Sequence, residues 1–231
     1  MSAVEQIPGG AQTDASEGRG RGKDLHVLGA LAAAYGAFAL TFRGSSQRFW
    51  QRMTTTGIAL GGLALASEPE LRRTRIRGRD IALGLAAATG LYAIFHAGDR
   101  LARWIMPKGA QEIGNIYSLR QLRPPAEVAA RLALVIAPAE ELFWRGFLQR
   151  RLARRVGVWR GAALGATAYG GAHAVTANLT LMGAAGVAGA YWAALAAAGI
   201  PMGALIVSHM VWDVWIFLLA PTDLRTRRRN E

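Results

Sequence analysis

The sequence predicts an all-α protein, a polytopic transmembrane bundle of about seven or eight helical spans. Two features carry that expectation. Between residues 161 and 222 the chain holds a single formal charge, Asp213. A soluble fold would have to bury nearly all of that stretch, whereas three membrane helices of about 20 apolar residues each use it up. The second feature is the spread of basic residues. The 231 residues include 27 Lys+Arg against 15 Asp+Glu, a formal net charge of +12. The arginines stand in short clusters between apolar runs, as in proteins that hold anionic headgroups and set their orientation by them. Membrane lipid is therefore the expected partner, and no nucleic acid is, although any basic chain binds it weakly at low salt. No cysteine is present, which excludes disulfide frameworks, thiolate zinc sites and a cysteine nucleophile.

Taken in order, residues 1–23 are rich in Gly, Ser, Gln and Ala and end in Arg19, Arg21 and Lys23, the pattern of a disordered basic tail. Residues 24–126 hold the N-terminal spans and a surface loop. The first run is Leu25 to Phe42; Ala37-Phe38-Ala39 imitates a signal-peptide cleavage site, but its length and the spans behind it favour an uncleaved helix. The second, Met53 to Ser67, is long enough only with Phe49 and Trp50 at the interface, and the third is Ile81 to Gly98. Residues 99–127 contain Trp104, Pro107, Pro124 and Pro125 and read as a surface-lying piece and a loop. Residues 127–222 form the core: Glu127–Gln149, Gly161–Asn178, Leu181–Ile200 and Gly203–Ala220. Residues 223–231 are a basic C-terminal tail. The arginines at 72–79 and 150–160 put both those links in the cytoplasm. Seven spans then leave Arg225, Arg227, Arg228 and Arg229 outside, and an eighth would bring them back.

An ionisable side chain at mid-membrane costs roughly 2.5–3.5 kcal/mol on insertion scales and so points to function. Three places break the apolar pattern: Glu140-Glu141 with Arg145, His173, and His209 with Asp213. His26 and His96 lie at span ends and are assigned no role, and Arg131 can snorkel. Glu141 and Arg145 are four apart and share a helix face, with the acid on the favoured N-terminal side. Glu140 is turned about 100° away, so one carboxylate reads as structural and the other as free. Pro138 removes a helix hydrogen bond just before them. The plain alternative is that the three charges only lock helix packing. Tyr169 and His173 are also four apart, as are His209 and Asp213. Counted from the arginine clusters, Glu140 and His173 lie ~15–20 Å deep, so all can meet in one cavity. A carboxylate beside a neutral imidazole can hold a water and take its proton. A second histidine with Asp213 can then stabilise an oxyanion formed at a carbonyl. The residues by themselves point to water activation inside the bilayer.

In sequence, Glu140-Glu141-x-x-x-Arg145, Tyr169-x-x-x-His173 and His209-x-x-x-Asp213 resemble the three ordered motifs EExxxR, FxxxH and HxxxN/D of the CPBP group, the CAAX-protease and bacteriocin-processing (Abi) intramembrane endopeptidases. The resemblance implies that Glu140 with His173 activates the attacking water and that His209 with Asp213 lines the oxyanion site. It further implies that Glu141 and Arg145 support the geometry and that Tyr169 contacts substrate. The implied activity is hydrolysis of a peptide bond in a membrane-associated protein or peptide, prenylated CAAX-type substrates included, by a multi-pass protein of the cell membrane open toward the cytoplasm. Two positions depart from the pattern. Tyr169 stands for Phe and adds a hydroxyl that needs a partner. Asp213 stands for the Asn of CAAX-cleaving members; ionised, it would repel an oxyanion, so it must be protonated, paired with His209 or orienting that ring.

No HExxH occurs, and metal ligands would have to come from three helices, which favours a metal-free glutamate mechanism without cofactor. The alternative is a divalent metal such as zinc at Glu140, His173 and His209. Two other functions compete: a non-catalytic membrane protein of this fold with an immunity or partner-binding role, and a proton-coupled transporter. The transporter is disfavoured because the halves show no inverted repeat.

Overall fold

The computed structural model describes the backbone of residues 10–105 and 116–220 and the side chains of residues 25–98 and 116–220. Among these every regular element is helical and no strand occurs. Three helices, α1 (Gly10–Arg43), α2 (Phe49–Ser67) and α3 (Gly78–Ile105), make the N-terminal part. Five helical segments then follow without a break: Pro125–Arg131, Leu132–Ile136, Ala137–Glu141, Leu142–Gln149 and Arg150–Val156. Together they form α4. Gly157, at φ +87°, turns the chain into α5 (Val158–Ala172), which ends in a short 3₁₀ turn, His173–Thr176. Then come α6 (Leu179–Ala197) and α7 (Met202–Val214), the latter prolonged by a π turn, Trp215–Leu219.

Four of these helices are long and apolar enough to cross a membrane: Leu25–Arg43, Gly78–Gly98, Leu179–Ala197 and Met202–Leu219. The expected seven or eight spans therefore reduce to four on length and hydropathy alone. The other three helices fall short for physical reasons. Arg52 and three successive threonines interrupt α2, the charges of the site interrupt α4, and α5 runs for only 15 residues. Phe49 and Trp50 do begin α2, as its apolar run requires. Other boundaries differ. α1 reaches back to Gly10, across residues expected in a disordered tail, because a helix once nucleated adds one hydrogen bond per further residue. α3 continues to Ile105, into the expected surface loop. In the same loop Tyr117 is buried, and the Trp50 indole donates to the Leu119 carbonyl at 2.9 Å. Residues 1–9, 106–115 and the C-terminal tail 223–231 lie outside the described residues.

Polar contacts collect at two ends of the bundle. At one, Glu68 accepts from Arg151 at 2.7 Å and from Arg154 at 2.8 Å, and His26 meets Ser67. At the other, Arg43 donates to the Val175 carbonyl, Arg131 to Thr54 and Arg120 to the Phe217 carbonyl. Successive long helices run between these ends in alternate directions. In lipid no hydrophobic force drives helices together, so close packing must. Gly84 allows it where α3 crosses α7: a Cβ there would lie 2.6 Å from Val207 Cβ. Phe38, Phe143, Trp144 and Phe147 centre one buried cluster, and Leu91, Trp192, Leu205 and Trp212 a second.

Candidate active site

α4 changes its winding around the two glutamates. Pro138 has no N–H to offer and its ring would press on the preceding turn. The helix widens just before it, over Leu132–Ile136, where the Ala137 N–H reaches back five residues to the Leu132 carbonyl. A second π segment, Leu142–Gln149, follows. Such widened turns recur at functional sites. Here they flank the short α-helical piece that holds Glu140 and Glu141, both buried.

Glu141 is the hub. Its Oε1 accepts from Arg145 Nη1 at 3.0 Å and from His209 Nδ1–H at 2.7 Å. The face-sharing of Glu141 and Arg145 expected from their spacing is thus present. Glu140 is turned to another partner, accepting from the Tyr169 hydroxyl at 3.0 Å through Oε2. The Tyr169 carbonyl in turn accepts from His173 Nδ1–H at 3.0 Å. No hydrogen bond joins Glu140 to His173 directly; Tyr169 links them through its two ends. Phe38 and Tyr169 pack edge-on against the His173 ring, at 5.3 and 4.9 Å between centroids. Anchoring Nδ1 on a carbonyl fixes the neutral ring's tautomer and leaves the Nε2 lone pair as acceptor.

His209 departs from the spacing argument. Asp213, one turn on, lies 3.5 Å from Nε2, beyond a good hydrogen bond. The shorter contact goes to Glu141, on another helix. The Asp213 side chain is 19% exposed, whereas those of His209, Glu141 and Arg145 are at most 3% exposed. Asp213, expected to be protonated, paired with His209 or orienting that ring, thus sits at the margin of the cluster.

Several residues that sequence reasoning missed complete the site. Trp192 of α6 stacks on the His209 ring at 4.0 Å and 23°, and its Nε1–H donates to Ser208 Oγ at 3.0 Å. Arg145 Nη2 donates to the Gly189 carbonyl at 3.1 Å, and its guanidinium covers the Tyr169 ring at 4.7 Å. One turn further, Gln149 donates to the Ala193 carbonyl at 2.9 Å. Trp192 gave one signal, a lone indole in a Gly/Ala-rich helix. Gly189 gave none.

In the donor set of the metal alternative each side chain has one atom engaged elsewhere, His173 through Nδ1 on the Tyr169 carbonyl. His209 Nδ1 is held by Glu141, Nε2 faces Asp213, and one Glu140 oxygen is held by Tyr169. Among the described residues no three His, Asp or Glu side chains gather as a metal ion requires. What the arrangement does provide is a buried carboxylate, an imidazole with a free acceptor and a second imidazole between two acids.

Residues 124–215 match the family model described as type II CAAX prenyl endopeptidase Rce1-like. No curated protein and no solved structure matches the chain. That family is a protease family, and the match together with four membrane-length apolar helices supports an integral membrane protein in a lipid environment. Residues 124–215, the part that matches the Rce1-like CAAX endopeptidases, hold every candidate site residue.

Proposed function

We propose that this protein is an intramembrane endopeptidase that hydrolyses a peptide bond of a membrane-associated protein or peptide. The observation that carries the reading is the buried chain Glu140–Tyr169–His173 standing beside the buried pair Glu141–His209. A water accepted between Glu140 and His173 Nε2 loses its proton to the Glu140 carboxylate as its oxygen attacks the scissile carbonyl. His173 orients that water; its Nδ1–H, spent on the Tyr169 carbonyl, keeps Nε2 as the acceptor. The carbonyl oxygen becomes an oxyanion and needs a donor. His209 supplies it when Nε2 also carries a proton, with Glu141 holding the other side of the ring and Asp213 at 3.5 Å offsetting the charge. Glu140 then returns its proton to the leaving amine. Arg145 holds Glu141 and takes no part in proton transfer.

The reading includes seven passes, α1 to α7, with the polar faces of α2, α4 and α5 turned into the bundle. The end carrying the arginines of residues 72–79 and 150–160 faces the cytoplasm in this reading, and the cell membrane is its proposed location. One observation favours a second reading, a non-catalytic protein of this fold: the Tyr169 hydroxyl occupies a Glu140 oxygen that water would use.

The test is peptide hydrolysis by detergent-purified protein offered prenylated and bare membrane-anchored fluorogenic peptides. Glu140→Gln and His173→Ala are each expected to lower kcat by roughly 10²–10⁴-fold, with a chelator leaving the wild type unchanged. Equal turnover by wild type and Glu140→Gln would sink the proposal, and loss of wild-type turnover with the chelator would overturn its metal-free chemistry.

A further inference from the structure

A cavity of about 180 Å³ lies away from the peptidase cluster, at the end of the bundle that carries Glu68. One wall is the link into α3, with Arg73, Arg75, Arg77 and Arg79; the other is the first turn of α7, with Met202 and Gly203. The two walls meet tightly, since a Cβ on Gly203 would lie 2.9 Å from the Arg75 carbonyl. α7 begins there, after Pro201, without a side-chain cap.

The charge around this cavity is unbalanced. Arg73, Arg75 and Arg77 have exposed side chains and no carboxylate partner among the described residues. The acid that lines it, Asp80, is 3% exposed. Its Oδ2 accepts from the Arg77 backbone N–H at 2.9 Å. Its Oδ1 makes only a 3.6 Å ionic contact with Arg79 Nε and has no hydrogen bond, though it is buried. A buried oxygen in that state calls for a donor. The cavity therefore presents a cluster of cations for an anion, with one unsatisfied acceptor beside them.

Depth narrows the choice of anion. Two of the four membrane-length helices begin at this cavity, at Gly78 and at Met202. Its residues therefore stand at the water boundary of two candidate spans, where headgroups lie, and arginine clusters in that position attract anionic lipid.

We propose that this cavity binds the headgroup of an anionic membrane phospholipid, with the phosphate on the arginines. Such a ligand bridges the start of α3 to the start of α7, seven residues before His209. The site does not depend on peptidase activity.

The test uses delipidated full-length protein in detergent, with bound lipid counted by native mass spectrometry and thermal unfolding followed in parallel. The probes are phosphatidylglycerol, which is anionic, phosphatidylcholine, which is not, and inorganic phosphate. Phosphatidylglycerol is expected to be retained over phosphatidylcholine and to raise Tm. Arg75→Gln with Arg77→Gln should weaken its binding roughly 10- to 30-fold, while Arg155→Gln with Arg160→Gln, removing the same charge elsewhere at this end, should not. Equal retention by wild type and the Arg75/Arg77 variant overturns the site, and these exposed arginines can be changed without threatening the fold. Displacement of the lipid by millimolar inorganic phosphate overturns the lipid assignment in favour of a free anion.

Discussion

At Tyr169 one hydroxyl separates this chain from the phenylalanine of the motif it resembles. The ring does what a phenylalanine would, packing against His173 and under Arg145. The hydroxyl adds a buried bond to Glu140. Tyr169→Phe should therefore cost stability, roughly 1.5–3 kcal/mol for a hydrogen bond to a charged group, while freeing a carboxylate oxygen for water. Turnover within about tenfold of wild type or above it, with a lowered Tm, is the expected outcome of parallel kinetic and unfolding measurements. A collapse of kcat with Tm unchanged would make the hydroxyl a participant in the chemistry. The six ionisable residues were legible because each breaks an apolar run, and the Glu141–Arg145 pair because four residues bring both side chains to one face. The Glu141–His209 bond was not legible. Its partners are 68 positions apart, and local spacing pointed His209 toward Asp213 instead.

Among the elements, α4 and α6 are coupled through backbone carbonyls. Arg145 and Gln149 stand one turn apart on α4 and donate to Gly189 and Ala193, one turn apart on α6. The approach requires a residue without a side chain at Gly189, where a Cβ would come within 2.6 Å of Tyr169 Cδ1. Gly189→Val should push Tyr169 off Glu140 and loosen the Arg145 contact, destabilising the protein by about 1–3 kcal/mol as overpacking does. Thermal unfolding measures the first effect, and a fall in kcat at unchanged substrate binding the second. Gly183→Val, where the added group meets open space within 4 Å, is the matched control and should change neither. Helix runs in α1, α3, α6 and α7 could be read from long, largely apolar sequence. The π turns of α4 could not, because hydropathy does not record which carbonyl each N–H chooses; Pro138 was the only hint.

At the scale of the molecule, the arginine-rich end is also tied together by buried charge. Burial alone would raise the Glu68 carboxyl, but hydrogen bonds from Arg151 and Arg154, with their charges, outweigh it and hold it below its ordinary value of 4.5. A carboxyl lowered in the folded state stabilises it above the unfolded value, and that contribution disappears as pH falls through the folded one. Glu68→Gln should thus lose about 1–3 kcal/mol near neutral pH, an amount moderated by the half-exposed Arg154. It should match wild type in acid, where both Tm curves converge. The same end decides orientation. Ten arginines, five at 72–79 and five at 150–160, gather there, whereas Arg43, Arg48 and Arg52 belong to the opposite end, and the seven passes proposed above would put a bilayer between the two. Because the chain has no cysteine, single cysteines report the arrangement without background. Arg155→Cys and Arg48→Cys, expressed in cells and exposed to a membrane-impermeant maleimide, should differ: Arg48→Cys labels in intact cells and Arg155→Cys only after the membrane is opened. The reverse pattern would place the arginine-rich end outside against the charge rule, and labelling of both in intact cells would mean that the two ends share one side, which no alternating seven-pass path allows.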